Sequence, residues 1–292
     1  MQIVTDSGTD VLLTPDECQA LNVHIVPLVV TMGGQSYREG VDITRDAFYR
    51  QLEVATELPL TSQPSVGALE TLYRELAQDD PDIISVHMSS GLSGTVRTAQ
   101  AAATLVPEAN VTVIDTLTLS IGAGWQVEAA ARAAAAGWPL ERIVALCKKI
   151  RSATNSQFTL RELRYLIHGG RISHIKGLLA QLLNIKPIIG VEQVGGTYEQ
   201  RGQARSFSGA LNKFVELMER VHGVGARLRV SVAHSSDPEG GEMLREAIAR
   251  RFRCEFTPPT QLSLVLGAHT GPTMVAAASA PASVWDEVPG GR

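Results

Sequence analysis

Cysteine is scarce in this chain. Cys18, Cys147 and Cys254 stand far apart, form no Cys-x-x-Cys pair and have no zinc-ligand spacing. A disulfide framework is therefore not expected, and a reducing, cytoplasmic setting is. Aromatic residues make up only 5% of the chain, so a core large enough for 292 residues must be aliphatic. An excess of positive charge is also missing: the net charge is -4, which gives no case for nucleic-acid binding. No charged-then-apolar leader opens the sequence, and no apolar run suits a membrane span; the alanine-rich stretch 129–136 is interrupted by Arg132.

Several catalytic signatures are absent too. Gly91-Leu92-Ser93-Gly94-Thr95 fails as a nucleophile elbow because it ends in threonine. There is no Gly-x-x-x-x-Gly-Lys-Ser/Thr phosphate loop, and Gly122-Ala123-Gly124 lacks a third glycine at dinucleotide spacing. No His-Glu-x-x-His occurs, and His168 and His174 flank a Gly-Gly stop without an evident third metal ligand.

What the chain does contain is a series of hydroxyl-rich turns. The apolar run Asp82–Met88 reads as a buried strand and Val96–Ala103 as a helix, so Ser89-Ser90-Gly91-Leu92-Ser93-Gly94-Thr95 is a strand-to-helix turn. Such turns lie at the carboxyl edge of a parallel sheet, where helix N-termini favour anions. The hydroxyls there have two readings, a helix cap or a ligand site. Thr61-Ser62-Gln63-Pro64-Ser65 is a second such loop and Asp115–Ser120 a third. Asp6 and Asp115 suit turn caps.

Strands and helices alternate through the first half, which predicts βαβ units and a mainly parallel sheet. Thr14-Pro15-Asp16-Glu17 carries a capping-box pattern. His24–Thr31 reads as one buried strand. Val66, Leu69, Leu72, Tyr73 and Leu76 mark one face of a helix. The pattern shifts near Thr154. A short helix is expected from Phe158 to the stop at Gly169-Gly170, followed by the apolar run Leu178–Leu183 and a strand through Asn184–Ile189. Gly195-Gly196 predicts a hairpin. Strands are expected at Leu228–Ala233, Gln261–Leu266 and Met274–Ala278, a helix from Pro238, and a poorly ordered tail over 281–292. The second half should therefore hold a mixed sheet.

Between Arg142 and Lys186 the basic residues are Arg142, Lys148, Lys149, Arg151, Arg161, Arg164, Arg171, Lys176 and Lys186, against Glu162 as the one acid. This reads either as a solvated surface or as a docking face for an acidic partner. His269, in a predicted loop Gly267–Pro272, is an ionisable ring able to hydrogen-bond a carboxylate or move a proton.

Taken in order, these segments resemble the DegV family of bacterial fatty-acid-binding proteins. The matches are Thr5-Asp6-Ser7, Gly40-Val41-Asp42-Ile43-Thr44, Thr61–Ser65, Ser89–Thr95, Ile114-Asp115 to Gly124, Gly169-Gly170-Arg171-Ile172, Leu183-Asn184-Ile185-Lys186-Pro187 and His269-Thr270-Gly271-Pro272. Thr273 stands where a second glycine is usual, and Thr116 and Thr118 where serines are common. The resemblance implies a two-domain α/β fold. Residues 1–153 would be a three-layer α/β/α domain with a parallel sheet, and 154–280 an α/β domain with a mixed sheet. A lipid tunnel would run between them. It further implies that Thr61, Ser62, Ser93, Gly94, His269 and Thr270 hold the carboxylate of a bound long-chain fatty acid. Arg171 and Arg205 would serve the interaction with a separate fatty-acid kinase that carries a dihydroxyacetone-kinase-like domain. In that reading the chain is a carrier and not an enzyme, with no metal or other cofactor, no nucleic-acid partner, and room for transient membrane contact. The competing readings are a lipid-responsive sensor and a serine hydrolase using Ser93 with His269.

Overall fold

The computed structural model describes residues 1–174 and 185–290. Lys176, the Leu178–Leu183 run and Asn184 lie outside the described residues. The first half runs β1 (Gln2–Asp6), α1 (Pro15–Ala20), β2 (Val23–Val26), β3 (Val29–Met32), β4 (Gln35–Arg38), α2 (Arg45–Val54), β5 (Leu60–Ser62), α3 (Val66–Leu76), β6 (Asp82–His87), α4 (Thr95–Ala103), β7 (Asn110–Asp115), α5 (Ser120–Ala135) and α6 (Leu140–Ala153). The second half runs β8 (Asn155–Thr159), α7 (Arg164–His168), β9 (Lys186–Val191), β10 (Tyr198–Ala204), α8 (Phe207–His222), β11 (Arg227–His234), α9 (Pro238–Ala249), β12 (Arg253–Phe256), β13 (Thr260–Gln261), α10 (Leu264–Thr270) and β14 (Val275–Pro281).

The parallel sheet expected from the βαβ alternation has the order β2-β1-β6-β7. α3 and α4 cover one face: Leu69, Tyr73, Leu76, Ala99 and Ala102 pack on Val4, Val26 and Ile83. α5 covers the other. The Thr14 capping box forms, with Thr14 Oγ1 accepting from Glu17 N at 3.2 Å and Glu17 accepting from Thr14 N at 2.9 Å.

The second half holds the mixed sheet, in the order β10-β9-β8-β14-β11-β12, with β13 also paired to β11. β12 and β13 run parallel to β11, and the other pairs are antiparallel. α8 and α9 bury Phe214, Met218, Leu244 and Ile248 against one face. The opposite face contributes Phe158, Ile189, Ala278 and Ala280 to the same apolar cluster that contains Ile3, Trp125 and Ile150 from the first half. α5 lies in the middle of this cluster. Its alanines and glycines let backbone approach closely; a Cβ on Gly124 would press on the Thr9 and Asp10 carbonyls at 2.6 and 2.9 Å.

Four expectations need correction. His24–Thr31 is not one strand: Pro27 separates β2 from β3, and β3 joins β4 and β5 in a small antiparallel sheet. Thr61 and Ser62 consequently stand on a strand and not in a loop. Phe158 does not open a helix; it lies in β8, whose Ser156–Phe158 face contacts α5. Gln261–Leu266 divides into the short β13 and the start of α10, where the Ser263 hydroxyl caps Leu266 N and Gly271, at φ 78°, ends the helix. A short apolar run does not distinguish strand from helix by periodicity. Finally, the tail is packed: Ala282–Glu287 forms a 3-10 turn, and the buried Trp285 meets Trp125 edge-on at 5.4 Å. Ala282, Val284, Trp285 and Val288 are all buried, and their burial together offsets the entropy of ordering the segment.

α10 is tied to the first half by a buried ionic node. Arg45 bridges Asp10, at 2.9 Å, and Glu39, at 3.5 Å, and donates to the Gln261 carbonyl. Glu39 accepts from Leu264 N at 2.9 Å, and Ser120 Oγ donates to Asp10 at 2.7 Å. Burial pushes the Glu39 carboxyl up to about 7, assisted by Asp10 and opposed by Arg45, the Leu264 N–H and Ser7. The folded chain thus retains a proton that the unfolded chain has released. The stability linked to Glu39 is complete below about pH 4.5 and is lost as pH rises to about 7, a difference of about 3 kcal/mol. Glu39→Gln keeps an acceptor for Leu264 N and removes the ionisation. We expect it to raise stability at pH 8 by about 2 kcal/mol and to flatten the decline between pH 5 and 8 in urea titrations. An unchanged pH profile would show that Glu39 does not titrate there.

Candidate functional site

Three chain segments from the first half and α10 from the second surround a cavity of about 260 Å³. β5 brings Thr61 and Ser62; the β6–α4 turn brings Met88, Leu92, Ser93 and Gly94; the β7–α5 loop brings Leu119; α10 brings Val265, Leu266 and His269. Leu28, Gln63, Tyr198 and Arg171 complete the wall. Thr61, Ser62, Ser93, Gly94, His269 and Arg171 are thus brought to one place from across the sequence.

The turn is fixed by side chains bonded to backbone. Ser89 Oγ accepts from Gly91 N at 3.1 Å and donates to the Gly196 carbonyl at 2.8 Å, docking the turn against the β9–β10 hairpin. Asp115 Oδ1 accepts from Ser90 N and Leu117 N at 3.2 and 2.9 Å. Leu117 and Ser120 take φ of 50° and 51°, strained values that the surrounding contacts impose. Ser93 Oγ accepts from Thr95 N at 3.3 Å and pairs with Thr95 Oγ1 at 2.9 Å, while the N-cap position of α4 is Gly94. A Cβ on Gly94 would meet the Gln63 carboxamide, which would have to shift from its 2.6 Å bond to Thr98 Oγ1.

β1 and β6 are locked beneath this turn. Asp6 accepts from Gly8 N, Met88 N and His87 Nδ1 at 3.0, 3.0 and 2.9 Å. His87 Nε2 bonds Ser85 Oγ at 2.7 Å, and Ser85 bonds Tyr73 OH at 2.6 Å. The connectivity is that of a serine–histidine–aspartate triad, but Asp6, Ser85, His87 and Tyr73 have no exposed surface. No substrate reaches it, and its role is to fix the strand ends.

His269 Nε2 bonds Thr61 Oγ1 at 2.7 Å, while the buried Nδ1, which faces Gly169, has no hydrogen-bond partner among the described residues. Burial, with Arg171 and His168 adding to it, lowers the His269 ring to about 3. The imidazole is neutral at physiological pH and offers hydrogen bonds, not charge. The positive charge in the described cavity wall comes from Arg171, whose guanidinium is held by the Gly169 carbonyl at 2.7 Å. Leu119 also lines a second, narrow cleft of about 30 Å³ between the start of α5 and the mixed sheet, walled by Ile121, Phe158, Val191, Leu262, Met274 and Ala278.

Two of the expected site residues are elsewhere. Thr270 is buried, and its hydroxyl donates to the Leu266 carbonyl at 2.8 Å within α10, turned from the cavity. Arg205 is exposed beyond the far end of β10. Tyr198, at the near end, lines the cavity, and seven residues of strand separate the two by roughly 20 Å. The basic run is partly compensated, two of its members by acids from other elements. Arg161 pairs with Asp237 at 3.1 Å, Lys149 with Glu287, and Arg164 with Glu162 at 2.8 Å, while Arg142 stacks on Trp138. Sequence reasoning missed Tyr198, Leu28 and Met88. Only the pairing of sheets places them, although Met88, next to the Ser89 turn, was within reach of the strand-end rule.

A family model described as an uncharacterised protein of the DegV family matches residues 1–282. The chain belongs to the DegV family. A DegV domain-containing protein of Staphylococcus aureus is 35% identical over 269 residues, covering 92% of this chain and 94% of that one. One of Deinococcus radiodurans is 35% identical over 280 residues, covering 96% and 95%. Among solved structures, a DegV family protein from Thermus thermophilus, described for its fatty acid binding, superposes with a TM-score of 0.85 at 31% identity, covering 96% of this chain and 99% of that one. DegV from Bacillus subtilis, described as a fatty acid binding protein, gives a TM-score of 0.85 at 27% identity over 96% and 98%. The DegV fold accounts for the parallel sheet in the first half and the mixed sheet in the second. Among the described residues no helix is long and apolar enough to cross a membrane.

Proposed function

We propose that this protein is a cytoplasmic carrier of a long-chain fatty acid, bound between two domains spanning residues 1–153 and 154–280. The observation that carries the reading is the position of Leu119, which lines both a cavity edged by hydroxyls and a neutral imidazole and a cleft with a mainly apolar wall. The carboxylate would sit against Thr61, Ser62, Ser93 and the Gly94 backbone, with His269 orienting Thr61. The acyl chain would pass Leu119 towards the cleft, whose volume of about 30 Å³ must widen to admit it. A buried carboxylate is costly without partners, and two or three hydrogen bonds offset that cost. Each methylene buried adds about 0.8 kcal/mol. The fatty acid binding described for the Thermus and Bacillus relatives supports the same assignment.

A separate kinase would then transfer the terminal phosphoryl group of ATP to the presented carboxylate, giving acyl-phosphate and ADP. Arg171, which lines the cavity, would neutralise charge as the acyl-phosphate forms. Arg205, remote from the cavity, would act only through contact with the kinase surface. A hydrolase reading finds no support in the contacts, since Ser93 bonds Thr95 and His269 bonds Thr61.

The test is a binding comparison between a fatty acid and its methyl ester. Esterification removes the charge that the donors recognise, and hydrogen bonds to charged groups contribute about 1.5–3 kcal/mol. Calorimetry should show the acid bound at least about 30-fold more tightly. In the same preparation, Arg171→Ala should slow kinase-dependent phosphorylation more than it weakens lipid retention. Equal affinity for acid and ester would reject carboxylate recognition.

A further inference from the structure

A second cavity, of about 520 Å³, lies between the two halves and shares no lining residue with the fatty-acid cavity or its cleft. Leu12 and Leu13, which precede α1, and Phe256, Pro258 and Trp285 from the second half give it apolar surface. Its charged wall is built around Glu128. Arg132 Nε donates to Glu128 Oε1 at 2.9 Å and Arg229 Nη2 donates to Oε2 at 3.1 Å. Two guanidiniums thus share one carboxylate and occupy both of its oxygens. The side chains of Arg132, Arg229 and Glu128 are only 21%, 10% and 8% exposed. This node carries one positive charge in excess. Glu17, with a side chain 45% exposed, approaches Arg132 only to 3.5 Å, where solvent weakens the attraction.

Arg229 is short of acceptors. Among the described residues it makes one hydrogen bond, the one to Glu128, and stacks on the Trp285 ring at 3.7 Å. Its Nε and the Trp285 indole N–H are buried without a partner among the described residues. Both add to the positive potential of a low-dielectric wall without having to touch a guest. Burial lowers the Arg229 guanidinium from its ordinary value; Glu128 opposes this and Arg132 adds to it.

We propose that this cavity binds a small organic monoanion, a carboxylate on an apolar body, held across Arg132 and Arg229 with its hydrocarbon part against Phe256 and the leucines. The planar guanidinium fork suits a carboxylate. A single charge matches the excess. At the mouth Arg227 is already paired with Glu255 at 2.7 Å, and the exposed Asp286 and Glu17 disfavour a dianion. Arg132 stands on α5 and Arg229 on β11, so the guest bridges the two halves. The inference is independent of the fatty-acid reading.

The probes are phenylacetate, benzoate and isovalerate, each with its neutral amide, and inorganic phosphate as an anion without an apolar body. In calorimetry the tightest acid should bind at least about tenfold more tightly than its amide, the scale of one charge-assisted hydrogen bond, and more tightly than phosphate. Arg132→Gln leaves Arg229 and Glu128 as a balanced pair and should remove the preference for acid over amide. Phe256→Ala leaves every charge in place and should weaken acid and amide alike; thermal melts show that both variants fold. The Trp285 indole resonance should shift when the acid is titrated in nuclear magnetic resonance. Thr61→Val with Ser93→Ala separates this site from the fatty-acid cavity, and affinity for the short acids should be unchanged there. The proposal is overturned if acids and amides bind alike, if Arg132→Gln keeps the preference, if phosphate binds more tightly than every acid, or if the short acids lose their affinity in the Thr61, Ser93 double variant. No binding by any of the acids would overturn it as well, and would leave the fatty-acid reading standing.

Discussion

Asp6→Ala should lower the stability of the folded chain by about 4 kcal/mol, near the upper end for single substitutions. Asp6 accepts from two backbone amides and an imidazole, all fully buried, and alanine leaves the three donors unpaired. Each unsatisfied buried donor costs about 1–3 kcal/mol. The loss should extend to the cavity, because Met88 N is one of the donors and Met88 lines the wall. Asp6→Asn, which keeps one acceptor, should fall between alanine and the parent. Urea denaturation followed by circular dichroism measures both. A loss below about 1 kcal/mol for alanine would mean that waters replace the carboxylate and that the strand ends are not locked as described.

The second large effect is expected at the carboxylate. Thr61→Val combined with Ser93→Ala should weaken fatty acid binding about 100-fold or more, from two charge-assisted hydrogen bonds of about 1.5–3 kcal/mol each. Val and Ala preserve the shape of the wall, so binding of the matching fatty alcohol should change far less. Thr61→Val also strips His269 Nε2 of its partner, in a ring whose Nδ1 already has none among the described residues. A small stability loss from the single variant is therefore expected, and thermal melts separate it from the affinity loss. Equal weakening for acid and alcohol would assign both residues to shaping the pocket.

Much of this site was legible locally. The Ser89–Thr95 turn follows from an apolar run, two glycines and a helix pattern, and Asp6 and Asp115 hold turns as aspartates between strand and helix commonly do. The parallel sheet followed from βαβ alternation. What was not legible depends on distant partners. Thr61 becomes a wall residue because β5 pairs with β3, Val30 opposite Thr61, and that pairing has no local signature. His269 sits on a helix of seven residues whose apolar content fits a strand equally well. The basic run looked one-signed because its acids, Asp237 and Glu287, come from other elements. Arg205 was placed by resemblance alone, and the direction of β10 carries it away from the cavity. Trp285 packs on Trp125 because α5 offers a slot between the sheets, which only the assembled core creates.

The central claim is that one fatty acid occupies the cavity and cleft of each chain. Native mass spectrometry of the purified protein, followed by organic extraction, tests it most directly. The account predicts a mass increment equal to one long-chain acid per chain, released intact by solvent and absent from the Thr61→Val, Ser93→Ala double variant. A chain that carries no lipid from any expression host and takes up none when it is supplied would contradict it.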